Sequence, residues 1–425
     1  MTQGLKAERR PYRLKNEVQN YAWGTRGPDA FIPQLLGQAP EPGQPYAELW
    51  MGAHPKAPSR VVLPDGNTMV LPAFIEADPK GTLGTEVFDC FGGLPFLLKV
   101  LSAGQTLSIQ AHPNKAQAET LHAADPQHYP DDNHKPEIAI ALDGLTALMG
   151  FRPFSELNAA LRAYPEIANF IGQPAQQLMA TEDVSPEIQT AITGQLFREL
   201  VKRAEGNQDA MIAAIDRLVI RLGSQSRVLT DAELRFLHIQ QRYGSRDVGV
   251  IAFFLLNLVK LSPGQGLYIE AGVPHAYLEG NIIECMANSD NVVRVGLTPK
   301  YRDARTLLEI VDATPGKPEI LQGRTQLTDA GLHTVTYASP AREFEIRRWR
   351  LQGGTACRVE KGTGPSVILS VAGSIRLTWD SGQETLRRGD SAFLPARLES
   401  YSLNALNDSD VFQADVPPMK DGGRP

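Results

Sequence analysis

Single charged residues stand inside apolar, strand-like runs at several places in this 425-residue chain. Lys99 lies within LPFLLKVL, Glu284 within NIIECMA and Arg294 within NVVRVGL. A charge buried in such a run is costly unless it is paired or used. Several such charges in one chain predict a small β-barrel whose interior is partly polar and holds a ligand.

Helical and β patterns divide the chain into three regions. Residues 1–152 are rich in Gly and Pro and contain short apolar runs, as β structure with loops does. Over 153–261, apolar residues recur at spacings of three and four, which is typical of amphipathic helices. From 262 onward alternation returns, with the hairpin signal DSG. We therefore predict a mainly β fold with an α-helical insertion.

Two segments of the insertion give more specific expectations. Ser185 and Pro186 match an N-cap followed by proline at the first helical position. The apolar run VGVIAFFLLNLV (248–259) is shorter than the roughly 18 residues of a membrane-span candidate. We expect it to be a buried helix, and we expect no membrane association.

Charge and cysteine content exclude several classes of function. A net charge of −6 disfavours a general nucleic-acid binder, which is usually basic. The three cysteines, Cys90, Cys285 and Cys357, form no CxxC pair, so a disulfide scaffold or a thiolate zinc site is not expected. The N-terminal residues have no apolar stretch typical of a secretory signal, and we expect a cytoplasmic protein.

Two histidines, a carboxylate and an amide suggest a metal site. Alternate residues of a strand share a face, so TLSIQAH would carry Leu107, Ile109 and Ala111 on one side and Ser108, Gln110 and His112 on the other. This polar side is either a solvated edge or a set of ligands. Glu137 opens the apolar run of NHKPEIAIAL, and His275 follows a Gly-Val-Pro turn. Imidazole and carboxylate ligands suit Zn, Mn, Fe, Co or Ni.

The spacing around His275 is similar to the second motif of cupins, which are double-stranded β-helix proteins. Gly264, Gly272 and His275 fit that motif, whereas Glu270 and Glu279 depart from it.

A second, incomplete copy of the spacing lies near the C-terminus. Gly389 and Pro395 stand at the right interval, but Arg397 and Ser400 replace the expected Gly and His. Either this is a second cupin without its metal, or the interval is ordinary turn punctuation.

The fold class that follows is two cupin-like β-barrel (jelly-roll) domains plus a helical domain. We expect a discontinuous catalytic cupin over 1–152 and 262–325, a helical domain over 153–261, and a metal-free cupin-like domain over 326–425.

Long segments, in order along the chain, carry a resemblance to a known family. They are QNYAWGTRGP (19–28), AELWMGAHPKAPS (47–59), LPFLLKVLSAGQTLSIQAHPNK (94–115), DNHKPEIAIAL (132–142), GFRP (150–153) and GVPHAYLEGNIIECMANSDNVVRVGLTPKYRD (272–303). Over essentially its full length the chain resembles type I mannose-6-phosphate isomerase. The C-terminal region is the weakest match.

The resemblance implies a cupin with one catalytic zinc ion per chain. Its ligand pattern falls on Gln110, His112, Glu137 and His275, the same four residues as above. The catalytic arginine of the family falls on Arg294.

The resemblance also implies an aldose–ketose isomerase that interconverts mannose 6-phosphate and fructose 6-phosphate through an enediol(ate). The base must lie beside C2 with a pKa tuned toward neutrality. Glu284 and Lys135 both remain candidates. Arg294 would serve either the phosphate or the enediolate. The activity belongs to carbohydrate metabolism and GDP-mannose biosynthesis, and we expect a monomer.

Further residues are expected to contact the phosphosugar. Lys300 would bind the phosphate with Arg294, and Lys99 and Ser108 would lie near the entrance. Trp23 and Tyr277 would line the sugar, although both also suit ordinary core packing. His54 or His134 would assist ring opening.

Three rival functions remain open. A non-haem iron cupin oxygenase would use His112, Glu137 and His275 with open coordination positions. A non-catalytic sugar-phosphate-binding cupin would bind the ligand without turnover. The same isomerase chemistry would also suit another sugar, including an unphosphorylated one.

Overall fold

The computed structural model describes residues 5–327 and 333–418. The strands of the first part are β1 (Tyr12–Lys15), β2 (Glu17–Gln19), β3 (Glu48–Gly52), β4 (Arg60–Val62), β5 (Thr68–Val70), β6 (Phe96–Ala103), β7 (Ile109–Ala111), β8 (Glu137–Ala141) and β9 (Leu145–Phe151). The helices among them are α1 (Phe31–Leu36), α2 (Leu71–Ala77), α3 (Pro79–Leu83), α4 (Thr85–Phe91) and α5 (Lys115–Ala124).

A run of helices follows β9. It comprises α6 (Phe154–Ala163), α7 (Pro165–Ile171), α8 (Gln173–Ala180), α9 (Pro186–Gly206), α10 (Gln208–Gly223), α11 (Asp231–Tyr243) and α12 (Gly249–Ala252). The chain then forms β10 (Leu256–Leu261), β11 (Gly266–Ile269), β12 (His275–Ala287), β13 (Val293–Gly296) and α13 (Ala304–Ile310).

The rest of the described chain is β structure. Its strands are β14 (Arg324–Leu327), β15 (His333–Tyr337), β16 (Glu345–Leu351), β17 (Ala356–Glu360), β18 (Ser366–Ala372), β19 (Ser374–Trp379), β20 (Gly382–Arg387), β21 (Ser391–Leu394), β22 (Ser400–Ala405) and β23 (Ser409–Asp415). The prediction of a mainly β fold with helices is confirmed.

Strand β12 is the centre of a ten-stranded sheet. The half that begins at His275 pairs with β7 and β9, and the half that ends at Ala287 pairs with β6 and β8. The register places Glu284 directly opposite Lys99 of β6, and His275 opposite Gln110 of β7. Side chains of adjacent strands that share a register position lie close together on one face of a sheet. One long strand therefore gathers residues from distant parts of the sequence.

Alternation along β6, β8 and β12 separates polar from apolar side chains. Leu98, Ile138 and Ile283 belong to one apolar core, which also contains Phe393 and Phe412 of the C-terminal sheet. The charged residues that alternate with them point to the opposite face. The C-terminal sheet thus covers the outer face of the strands whose inner face carries the site.

The N-terminal strands reach into the C-terminal sheet. That sheet has nine strands in the order β14-β15-β16-β23-β18-β21-β1-β4-β5. Tyr12 of β1 pairs with Phe393 of β21. A four-stranded sheet, β17-β22-β19-β20, faces it across a second apolar core that includes Ile368 and Leu403.

The helical run packs behind the site. Phe197 of α9 and Leu218 of α10 share an apolar core with Ile109, Ala111 and Val293. Ile109 and Ala111 therefore face the helices, as the alternation predicted. Leu107 packs instead against the apolar cluster that contains Tyr277, because the strand begins only at Ile109.

Three local predictions can be compared with the structure. Helix α9 begins at Pro186 with Ser185 as N-cap, and DSG lies at the turn between β19 and β20, as expected. The prediction of a buried helix over 248–259 is wrong, because α12 ends at Ala252 and the run continues as β10. Periodicity does not distinguish a buried helix from a buried strand in a uniformly apolar run.

Within the two described stretches, we find no helix that is both long and apolar enough to cross a membrane.

Gly272 should be intolerant of substitution. Its φ is +79°, and a Cβ there would lie 2.6 Å from the carbonyl oxygen of Ile310. Its N–H donates to the carbonyl of His112 at 2.8 Å, so a shift would move a candidate ligand. We expect Gly272→Ala to lower the free energy of unfolding by roughly 2–4 kcal/mol, measured by denaturant titration.

Gly27 supplies the matched control for this test. Its φ is +75°, but a Cβ there would meet nothing within 4 Å. Gly27→Ala should therefore lower the free energy of unfolding by only about 1–2 kcal/mol, the cost of placing alanine in the left-handed backbone conformation. Equal losses in the two variants would contradict the role given to the close approach at Gly272.

Candidate metal centre and active site

His112, Glu137 and His275 meet in one buried cluster. Their ligand atoms all lie within 4.8 Å of one another. His112 Nε2 is 3.6 Å from Glu137 Oε1, and His275 Nε2 is 3.4 Å from Glu137 Oε2. His112 follows the end of β7, whereas Glu137 and His275 are the first residues of β8 and β12. The cluster is thus built at the ends of three neighbouring strands.

Both imidazoles are oriented by backbone carbonyls. His112 Nδ1 lies 2.8 Å from the carbonyl of Asn291, and His275 Nδ1 lies 3.0 Å from that of Val273. Each Nδ1–H donates outward, which leaves each Nε2 lone pair directed at the cluster. Burial, and then the Lys135 ammonium, lower the pKa of His112 to about 4. His112 is therefore neutral near pH 7, as a metal ligand must be.

Glu137 is held in its ionised form. Burial would raise the pKa of its carboxyl, but Lys135 and the imidazole of His112 bring that pKa well below its usual range. The Lys135 Nζ lies 3.0 Å from Glu137 Oε1.

Two ligand atoms of the cluster have no hydrogen-bond partner in the described structure. They are His112 Nε2 and Glu137 Oε2, and both are buried. Buried polar atoms normally have partners. Two imidazoles and a carboxylate whose ligand atoms lie this close together fit a divalent metal ion.

Gln110 is the fourth predicted ligand, and the structure brings it to the same place. Its side-chain Nε2 lies 3.4 Å from His275 Nε2. The two ends of an amide differ only by a half-turn about the last side-chain bond. That half-turn would place the Gln110 oxygen where the nitrogen now lies. In that orientation the Gln110 oxygen would be available as a fourth ligand atom.

Glu284 and Lys99 form a buried ion pair beside this cluster. The Lys99 Nζ is 2.9 Å from Glu284 Oε2 and 3.8 Å from Glu48 Oε2. Burial would lower the pKa of Lys99, but the two carboxylates raise it, so the ammonium stays charged. Lys99 is 5% exposed, so it is buried rather than near the entrance, where we expected it.

The pKa of Glu284 is raised. Burial is the largest cause, and the carboxylates of Glu137 and Glu48 add to it against the opposing effect of Lys99. A carboxylate with a raised pKa is suited to accept and return a proton near neutral pH.

Two further cations, Arg294 and Lys300, are candidates for binding the substrate's phosphate. Arg294 lies opposite Gln110 in the pairing of β13 with β7. Neither makes an ion pair or hydrogen bond through its side chain with another described residue. Burial lowers the pKa of Arg294, and burial followed by Arg294 lowers the pKa of Lys300. Arg294 lines a cavity of about 240 Å³ together with Lys56, Asp290 and Tyr301. The Lys300 Nζ also lies 5.7 Å from the centre of the Tyr21 ring. Two cations that form no ion pair are suited to an anionic group.

The other predicted residues lie at varied distances from the cluster. The Tyr277 ring centroid is 6.3 Å from that of His275, and its hydroxyl is buried. The Ser108 hydroxyl is 3.5 Å from Gln110 Oε1. Trp23 is half-buried and its ring lies 5.8 Å from that of Tyr21.

The two further histidines occupy different surroundings. His54 is buried against the Trp50 ring, with its Nε2 3.6 Å from Asp290 Oδ2. Burial lowers the pKa of His54. His134 lies outside the cluster, and its Nε2 is hydrogen-bonded to Glu343 Oε1 at 2.6 Å.

Sequence reasoning missed several residues of the site. Glu48 contacts Lys99 and accepts from Trp50 Nε1, and its place inside the apolar run AELWMG is the same signal that selected Lys99. Asn291 orients His112 through its backbone carbonyl, and a backbone contact leaves no signal in residue type. Glu343 contacts His134 from a distant part of the sequence.

Comparison with known proteins gives the family. Residues 12–154 match the family model described as phosphomannose isomerase type I, catalytic domain. Mannose-6-phosphate isomerase 2 of Arabidopsis thaliana is 39% identical over 94% of this chain and 92% of its own. Mannose-6-phosphate isomerase of Homo sapiens is 37% identical over 95% of this chain and 97% of its own. The chain belongs to the type I mannose-6-phosphate isomerase family.

Solved structures of phosphomannose isomerases are also similar. A crystal structure of mannose 6-phosphate isomerase in a zinc-bound holo form has a TM-score of 0.82 at 33% identity, covering 96% of this chain and 99% of that one. A mutant of phosphomannose isomerase from Salmonella typhimurium has a TM-score of 0.83 at 32% identity, with the same coverage. The family resemblance deduced from the sequence is confirmed.

His275 should be required for metal binding. We expect His275→Ala to lose bound divalent metal, because it removes one of two imidazoles from a site whose remaining ligands stay in place. Metal content per chain, measured by elemental analysis alongside the circular dichroism spectrum, checks this.

His122 in α5 provides the control substitution. Its Nδ1 also bonds to a backbone carbonyl, that of Tyr129 at 2.7 Å, but it lies outside the cluster. His122→Ala should keep its metal. Full metal occupancy in folded His275→Ala would remove His275 from the ligand set.

Proposed function

We propose that this chain interconverts D-mannose 6-phosphate and D-fructose 6-phosphate, with one zinc ion held by Gln110, His112, Glu137 and His275. The observation that carries the proposal is the adjacency of that buried ligand cluster to Glu284, whose pKa is raised. Relatives of nearly equal length bear the name mannose-6-phosphate isomerase. Bound zinc supplies Lewis-acid stabilisation of negative charge on the sugar oxygens.

Glu284 is the base that we favour. It takes the proton from C2, and the electrons of that C–H bond form the C1–C2 double bond of the enediol(ate). Glu284 then returns the proton to C1, while loss of a proton at O2 and gain of one at O1 complete the balance. Its raised pKa supports this role, and the ammonium of Lys99 at 2.9 Å stabilises the ionised carboxylate that exists before the proton is taken and after it is returned.

Lys135 is the alternative base. Its ammonium is 3.0 Å from Glu137 and offsets the charge of that ligand. As a base it would have to be neutral, and it would then no longer stabilise the Glu137 carboxylate. We therefore give Lys135 the task of holding Glu137 ionised.

The phosphate of the substrate would bind at Arg294 and Lys300. Arginine offers paired N–H groups to phosphate oxygens, and a free lysine adds a second positive charge. Arg294 also faces Gln110 in the register of β13 with β7, which brings it close enough to stabilise the enediolate. Lys99, Ser108, Tyr277, Trp23 and His54 would contact the sugar.

The order of strands, helices and strands along the chain supports a division into three domains. We propose a catalytic cupin barrel over 1–152 and 262–325, a helical domain over 153–261 and a cupin-like jelly roll over 326–425. Strands β1, β4 and β5 cross this division, since they pair within the C-terminal sheet. We also propose a cytoplasmic monomer that serves GDP-mannose biosynthesis.

Two observations disfavour the function of a non-haem iron oxygenase. Its three ligands would leave positions open for oxygen, but the Gln110 amide lies 3.4 Å from His275 and fills the space beside it. The unpaired Arg294 and Lys300 also suit a phosphorylated substrate rather than oxygen.

Turnover of mannose 6-phosphate to fructose 6-phosphate is the decisive measurement. Activity should disappear on chelation and return when zinc is added back. Saturable binding of the phosphosugar without turnover in zinc-loaded protein would favour the non-catalytic binding protein. Turnover of unphosphorylated mannose at an equal rate would move the specificity to another sugar.

Glu284→Gln tests the base. We expect kcat to fall by about 100- to 10,000-fold with zinc retained, because the amide cannot accept the C2 proton. Glu48→Gln is the matched control, since Glu48 also contacts Lys99 and is buried. It should lose much less activity. Similar losses in both variants would assign the effect to Lys99 instead.

A further inference from the structure

One contact joins the C-terminal part of the chain to the candidate active site. Glu343, just before β16, places its Oε1 2.6 Å from His134 Nε2. Glu343 is 7% exposed, and within the described chain its other oxygen is buried without a hydrogen-bond partner. Burying a carboxylate costs free energy of folding unless a partner offsets the loss of hydration, and His134 is the side chain that does so here.

The charge state of Glu343 strengthens this bond. Burial would raise the pKa of the carboxyl, but the contacts with His134 bring it below the usual value. Glu343 is therefore ionised near neutral pH and accepts a charge-assisted hydrogen bond, which is stronger than a neutral one.

The other side of the loop that carries His134 is already fixed. Asn291 Nδ2 donates to the carbonyls of Asp131 at 2.7 Å and Asn133 at 3.0 Å, and the Asn291 carbonyl orients His112. Ser289 Oγ also donates to the Asn133 carbonyl at 3.0 Å. Glu343 supplies the contact that holds the loop at His134.

The segment between His134 and the metal cluster is stiff. Lys135 and Pro136 separate His134 from Glu137. Proline has a fixed φ and restricts the residue before it to extended conformations. A displacement of His134 is therefore transmitted along the backbone to Lys135 and Glu137 rather than absorbed.

We propose that Glu343 is a positioning residue for the isomerisation, acting through His134 to hold Lys135 and Glu137 in register with Glu284. The inference rests on the proposed function. It gives the C-terminal region a role beyond covering the barrel, because that region supplies a contact that the catalytic strands lack.

The test is a double-mutant cycle on Glu343 and His134 in the full-length, zinc-loaded protein. We expect Glu343→Ala to lower kcat for mannose 6-phosphate on the order of tenfold, with KM within about twofold and zinc content unchanged. Glu343→Gln, which keeps an acceptor for His134, should recover most of the loss. In a His134→Ala background, Glu343→Ala should cause no further loss.

Glu345→Ala is the control. Glu345 lies two residues further along and forms no ion pair or hydrogen bond through its side chain with the described residues, so it should keep wild-type kcat.

Three results would overturn the inference or its basis. A Glu343→Ala enzyme with kcat within twofold of wild type would overturn the positioning role. So would losses from Glu343→Ala and His134→Ala that multiply. Wild-type protein without turnover would instead overturn the proposed function itself.

Discussion

The burial of charge beside the candidate metal-ligand cluster is the constraint on which the rest of the structure depends. Each interior ammonium lies beside a carboxylate, Lys99 with Glu284 and Lys135 with Glu137. This pairing makes the burial tolerable, since an unpaired charge in such surroundings is strongly destabilising. It also keeps the local field balanced, so that His112 stays neutral while Glu137 stays ionised. The same residues thus allow these strands to fold with charges buried between them and prepare the cluster to bind a cation.

Strand β12 brings the charged residues and the candidate metal ligands together. It carries His275 at its first residue and Glu284 near its end, and it pairs with four other strands. The candidate ligand and the proposed base are therefore fixed to one rigid element. Sites built on strands are held more accurately than sites on loops. The loops supply what the strands do not, namely the carbonyls that orient the imidazoles.

Much of the fold and the site was predictable from the sequence, for a physical reason. Their positions as single charges within apolar runs marked Lys99 and Glu284 as members of a polar interior, and the family motifs named the four residues that the structure brings together. The run at 248–259 was misjudged because uniform hydrophobicity carries no period. Asn291 and Glu343 were missed because one acts through its backbone and the other meets His134 only in three dimensions. Their roles depend on tertiary contacts, which local patterns do not contain.

The pairing of β1 with β21 has a consequence for synthesis on the ribosome. Tyr12 leaves the exit tunnel long before its partner Phe393 is made. At ~5–20 residues per second the N-terminal strand waits on the order of tens of seconds for that partner. During this time its unpaired edge is open to other chains. These two distant segments therefore complete the sheet together, and a nascent chain that stops short of β21 leaves its first strand paired only with β4.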